Sequence, residues 1–206
     1  YWFFELDSGF HRDMRPLLNG WPIENGIRNI TFSGNGKDGV SVFYEPEGQC
    51  LWVLSSKDSL ITDLPALTTS ALPVSNLERI IITTGKNNIP DQDVFGSEPP
   101  HTWCYFFQKA YLARQQGNWE QVFTLAQEAK TMGYDPDNPY EWTPFIEGYA
   151  YTGNWDKASE LTFLAYEKNT RVKGLLCSTW NSFISLTPQD EPRDEVISQV
   201  FDQLRC

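Results

Sequence analysis

Two histidines, His11 and His101, are all that the 206 residues contain. So few leave little room for a Ser-His-Asp or Cys-His arrangement, and no catalytic constellation stands out. The four cysteines, Cys50, Cys104, Cys177 and Cys206, include no C-x-x-C pair, which speaks against a zinc site. No stretch approaches the roughly 18 apolar residues of a membrane span, and no signal peptide is visible. Basic charge is short as well, with 16 Lys and Arg against 27 Asp and Glu, net -11. The deficit is even: residues 1–100 carry 7 basic and 13 acidic side chains, residues 101–206 carry 9 and 14. Without a basic stripe to neutralise phosphates, nucleic acid is excluded as an expected partner. An anionic membrane surface would repel the chain too.

What is abundant is apolar and aromatic. Hydrophobic residues make up 40% and aromatics 15%, with eight tryptophans, a globular composition. A chain of this length buries enough surface to fold without a metal or disulfide staple. The cysteines therefore have two readings: disulfides in an exported protein, with three pairings possible if all four join, or small buried apolar residues. The chain opens without Met on Tyr1-Trp2-Phe3-Phe4, and reads as a piece of something longer. Aromatic residues favour the membrane–water boundary, so either an upstream span or simple packing on a core accounts for that opening.

Along the chain, residues 1–27 read as irregular. Strand patterns follow at Arg28–Ser33, Val40–Tyr44, Cys50–Leu54 and Arg79–Thr83, bounded by Gly, Pro and Asn. A small antiparallel sheet is expected from them. Ser59–Asn76 reads as a loop with a helical turn, and Gly85–Pro100 as a boundary where the apolar period changes from two to 3.6. Beyond it, six helices are predicted over 101–116, 119–132, 140–152, 155–168, 173–185 and 192–204. The expected fold is thus α+β, a β-rich domain over 1–98 and a helical domain over 99–206.

The helical half repeats itself. Gly117-Asn118-Trp119-Glu120-Gln121-Val122 recurs as Gly153-Asn154-Trp155-Asp156-Lys157-Ala158, 36 residues on, and Leu125 and Ala129 recur as Leu161 and Ala165. A helical hairpin with a period in the thirties marks a stacked array. The pattern resembles the tetratricopeptide repeat, which places such a turn between its two helices and small residues, like Val122-Ala126-Ala129 and Ala158-Thr162-Ala165, on the second. The period of 36 instead of 34 departs from it. So do the late Pro136 and the want of a proline after the fourth helix. The fifth and sixth helices lack the Gly-Asn-Trp turn and read as a degenerate third pair capping the array. The resemblance covers Thr102–Asn169.

A longer resemblance is carried by His101–Ala110, Leu112–Trp119, Pro144–Ala150 and Leu72–Leu77. Those strings are similar to the soluble tails of certain bacterial multi-pass membrane proteins, some glycosyltransferase-like in their membrane half. The resemblance implies an extracytoplasmic location on a cell membrane, with attachment through upstream segments, and assigns no chemistry to these residues.

The remaining motifs carry bland expectations. Gly34-Asn35-Gly36-Lys37-Asp38-Gly39 fits G-x-G-x-x-G but precedes a strand, so no helix N-terminus faces a pyrophosphate, and a hairpin turn is expected. His101 and Cys104 share a helical face, with Asp93 or Glu98 as the other conceivable ligands. Asp91-x-Asp93 looks like the acidic pair of metal-dependent glycosyltransferases, but its flanks are loop-like. Asp135 and Asp137 read as turn formers, since the Gly and distal Glu of a calcium loop are missing. Asn29-Ile30-Thr31 is a glycosylation sequon in form only. No metal or cofactor is expected.

If the family geometry holds, Phe107, Tyr111, Arg114, Thr143, Glu147 and Tyr151 line a groove on the first helices, able to hold a peptide segment, unless the N-terminal domain covers it. The leading expectation is a non-catalytic protein-interaction or scaffolding module. The alternative is an accessory, acceptor-positioning domain of an envelope glycosyltransferase, with Trp21 or Trp52 as glycan platforms. A stand-alone enzyme is the third.

Overall fold

The computed structural model describes residues 15–44, 50–80 and 92–206. The chain is α+β, small antiparallel strand pairs and a larger set of helices. It divides into two compact units: 1–43, 52–59 and 63–99 form one; 44–51, 60–62 and 100–206 form the other.

In the first unit, helix α1 (Arg15–Leu18) precedes strands β1 (Pro22–Ile27) and β2 (Ile30–Asn35), paired from Pro22↔Asn35 to Ile27↔Ile30. Arg28 and Asn29 make the two-residue turn, with Arg28 at φ 55°. The sequence placed them on a strand instead. The tight two-residue hairpin needs a left-handed turn residue, and here an arginine fills that place without the usual Asn-Gly signature. β3 (Ser41–Phe43) pairs antiparallel with β4 (Trp52–Leu54). There are thus two separate ribbons among the described residues, where one sheet was expected.

Gly34–Gly39 is not a hairpin turn, because the strands on either side of it do not pair with each other: β2 pairs with β1, and β3 with β4. Gly36–Asp38 is a 3-10 turn capped by Asn35, whose side chain accepts from Lys37 N at 2.8 Å while Asp38 accepts from Asn35 N at 3.3 Å. Ser75 wires the second ribbon, accepting from Ser41 N at 2.9 Å and donating to Leu54 O. Asn76 donates to Gly39 O and Lys37 O, both at 2.8 Å. Arg79 pairs with Asp38 at 2.5 Å. Arg79 closes a 3-10 turn (Leu77–Arg79) and Ile80 sits in a bend, so the fourth predicted strand does not begin there. Its remainder, 81–83, lies outside the described residues. Helix α2 (Ala66–Ala71) fills the predicted loop, and α3 (Gln92–Phe95) lies within the predicted boundary.

Among its described residues the second unit has six α-helices in three antiparallel hairpins: α4 (Trp103–Gln115) with α5 (Trp119–Thr131), α6 (Thr143–Tyr151) with α7 (Trp155–Lys168), α8 (Lys173–Leu186) with α9 (Glu191–Leu204). The first helices stack in the order α4, α6, α8, and each hairpin packs on the next. Gly117, Gly133 and Gly153 stop α4, α5 and α6 in one manner. Each holds a positive φ of +68°, +73° and +81°, and the residue after it donates back five positions, as Asn118 N does to Ala113 O at 2.9 Å. A left-handed residue at that place turns the chain sharply, and only glycine adopts it without cost.

The small residues on the second helices are all buried: Val122, Ala126, Ala129, Ala158, Thr162 and Ala165. Thr162 links hairpins two and three, because Trp180 Nε1 donates to its hydroxyl at 2.8 Å in the core. A close crossing lies at Gly148 on α6, where an added Cβ would stand 2.5 Å from Val122 Cγ1 on α5. Gly148→Ala overpacks that crossing at a cost of about 1–3 kcal/mol, less about 1 kcal/mol of improved helix propensity. Urea titration should therefore show a net loss in the wild-type background. In a Val122→Ala background the 2.5 Å contact is gone and a tight 3.1 Å approach to the residue 122 Cβ remains, so the same substitution should cost less than in the wild type. The outward positions of α9, including Glu195, Ser198, Gln199, Asp202 and Gln203, are exposed and polar, where a further hairpin would need an apolar face.

Candidate functional site

The six groove residues fall on two helices that pack together, α4 and α6. Phe107, Tyr111, Thr143 and Glu147 are buried, while Arg114 and Tyr151 are half-buried. A buried ring offers no surface to a peptide, so this face as it stands is an inter-helix seam with two partly open positions. Phe107 and Tyr111 pack ring on ring, centroids 5.4 Å apart. Arg114 grips Glu147 with two contacts, Nε to Oε2 and Nη2 to Oε1 at 3.1 Å, and its guanidinium lies 5.3 Å from the Tyr111 ring. A planar fork on a carboxylate fixes the relative register of α4 and α6.

Tyr151 stacks on Trp119 at 4.1 Å and meets Phe183 edge-on at 5.4 Å. Burial raises its phenol pKa above the ordinary 10.0, and the Glu147 carboxylate raises it further, while a hydrogen bond with Ser182 and the Arg114 charge work the other way. Tyr149 is raised too, by burial and then by Glu160. A phenol held neutral in the folded state and free to ionise when unfolded stabilises the fold fully below its unfolded pKa. That contribution is lost as pH rises from 10.0 through the folded value. Stability measured by urea titration should fall above pH 10, and Glu147→Gln, which removes one of the causes at Tyr151, should flatten that fall.

None of the four cysteines is a free thiol. Cys50 joins Cys104 and Cys177 joins Cys206, with Cα atoms 5.1 and 5.6 Å apart, so the small-apolar-residue reading is replaced by two disulfides. This also removes Cys104 as a metal ligand, and His101 stacks on Tyr105 at 3.5 Å. No group of three His, Cys, Asp or Glu able to hold a metal occurs among the described residues. Asp93, Glu98, Asp135 and Asp137 are exposed, and Asp91 lies outside the described residues. Of the two glycan platforms, Trp21 is 53% exposed but Trp52 only 2%, so Trp52 presents no platform.

One group the sequence reading passed over is Glu141. It is 1% exposed, accepts from Cys50 N at 3.0 Å and from Trp103 Nε1 at 2.5 Å, and so sits beside the Cys50–Cys104 disulfide. Its signal was one of only two acids, with Glu147, in the largely apolar run Pro139–Ala150, every residue of which is buried. α6 consequently has two working faces. Thr143, Glu147 and Tyr151 belong to the seam, and Phe145 and Tyr149, with Trp142 just before the helix, line a cavity on the other side. Comparison with protein-family models, with curated proteins and with solved structures finds no match.

Proposed function

We propose that the helical unit is a non-catalytic protein-interaction module belonging to the extracytoplasmic part of a bacterial membrane protein, with tetratricopeptide-like hairpins as its scaffold. The observation that carries this reading is the pair of disulfides within one stacked-hairpin unit. Disulfides persist in oxidising compartments and are rare in the cytosol, and stacked hairpins build rigid surfaces for partners. No helix among the described residues is long and apolar enough to cross a membrane, so attachment falls to other segments.

The test is made on the whole protein in intact cells. A membrane-impermeant maleimide should leave all four cysteines unlabelled until a reductant is added, then label Cys177 and Cys206, the pair that includes an exposed residue. Thiols that are free before reduction, or that react only after lysis, would overturn the assignment.

A further inference from the structure

We propose that Cys206 is a modification site, where a small thiol exchanges with the Cys177–Cys206 disulfide and forms a mixed disulfide, while the Cys50–Cys104 disulfide is closed to the same reaction. The inference rests on the extracytoplasmic half of the reading above, which accounts for the oxidised cysteines, and it gives the two bonds different roles.

Exchange begins when a thiolate attacks one sulfur of the bond, so access decides which disulfide reacts and at which end. Cys206 is exposed and lies two residues past the end of α9, while Cys177 is half-buried on α8. Attack therefore falls on the Cys206 sulfur. A new S–S bond forms between the small thiol and Cys206. The old bond breaks, its electron pair leaves on the Cys177 sulfur, and that thiolate takes a proton from water. One disulfide and one thiol become another disulfide and another thiol, so no outside oxidant is needed.

Charge favours the same direction. A thiolate leaves faster when a cation beside it lowers its basicity. Lys173 precedes Cys177 by four residues on α8, which sets their Cβ atoms roughly 5–6 Å apart on one face. Along the chain at the attacked sulfur, Arg205 and Asp202 offset each other, both exposed.

The other disulfide differs on both counts. Cys50 is only 2% exposed. The cavity of about 470 Å³ that reaches Cys50 and Cys104 is lined by three carboxylates, Asp135, Asp137 and Glu141, and by no Lys or Arg. A thiolate entering it is repelled, and a leaving thiolate at Cys50 would form close to Glu141, which accepts from Cys50 N at 3.0 Å. Opening the outer bond also leaves its hairpin standing. Helix α9 still packs on α7 and α8 through Val196, Ile197, Val200 and Leu204, all buried. The exchange is therefore reversible on a folded chain.

The experiment uses the whole 206-residue chain, purified without reductant and treated with reduced glutathione. Samples are stopped with acid, cut with pepsin and mapped by mass spectrometry, with circular dichroism followed in parallel. Early samples should carry glutathione on Cys206 about tenfold more often than on Cys177, with Cys50–Cys104 intact and the helical signal unchanged. Lys173→Gln should slow the appearance of that product about threefold, and Lys173→Arg should restore it. Glutathione spread evenly over the cysteines, a product seen only once the helical signal falls, or an unchanged rate in Lys173→Gln would overturn the proposal alone. Free thiols before glutathione is added would overturn the compartment reading and the proposal together.

Discussion

Replacing Cys50 and Cys104 together by alanine should cost the helical unit about 4 kcal/mol, the chain-entropy value for a closed loop of this size. The two cysteines are 54 residues apart in sequence, against 29 for Cys177 and Cys206, where the same argument gives about 3.5 kcal/mol. The local surroundings work in the same direction. The disulfide holds Cys50 where its N–H meets the buried Glu141 carboxylate, which also accepts from Trp103. Letting that strand of chain drift would remove one of the bonds that compensate a buried charge, and such charges are costly when their partners leave. Urea titration of the helical signal with and without each disulfide checks the order. A loss under about 1 kcal/mol for the Cys50–Cys104 pair, while the shorter loop costs more, would contradict it.

Arg114→Ala alone should cost about 3–5 kcal/mol, because it strands a carboxylate that is almost wholly out of water. The side chains of Arg114 and Glu147 are only 14% and 11% exposed. Replacing both at once, with Arg114→Met and Glu147→Leu, should restore most of the loss, since an apolar pair of similar volume avoids the desolvation that the ion pair must offset. Denaturation of the wild type, Arg114→Ala and the double variant supplies the numbers. If the single and double variants are equally unstable, the pair is not the contact that sets the register of α4 on α6. If Arg114→Ala leaves stability untouched while abolishing peptide capture, the seam is a binding groove after all.

The helices were legible because their punctuation is local. Gly-Asn-Trp carries the turn within three residues, and the left-handed requirement at Gly117 and Gly153 follows from backbone sterics alone. Trp155–Lys168 lies where the repeat places it. The third helix was read as starting at Tyr140, but a 3-10 turn over Pro139–Trp142 comes first, and α6 restarts with Pro144 in its first turn, where a missing N–H costs nothing. The strands were harder to read. β1 contains Pro22, Glu24, Asn25 and Gly26, poor strand formers that only pairing with β2 makes extended.

The candidate site was legible as a helix face and not as a surface. The tetratricopeptide resemblance implied a shared face for Phe107, Tyr111, Arg114, Thr143, Glu147 and Tyr151, but whether a face is open is decided by what packs on it, which one chain's spacing does not encode. Disulfide partners belong to the same class of information, since four cysteines allow three connectivities. The cavity that the structure adds lies on the opposite face of α6, and its aromatic floor had been counted only as helix.

The tryptophan that follows each Gly-Asn turn does not stay within its own hairpin. Trp119 lies against Tyr151, and Trp155 packs on Trp180 and Phe183, the last of which touches Tyr151. Each hairpin is thus latched by its turn to the one that follows, and peeling away any one of them unstacks a ring in its neighbour. The three hairpins should consequently exchange their deepest amide protons at a common rate and melt in one step.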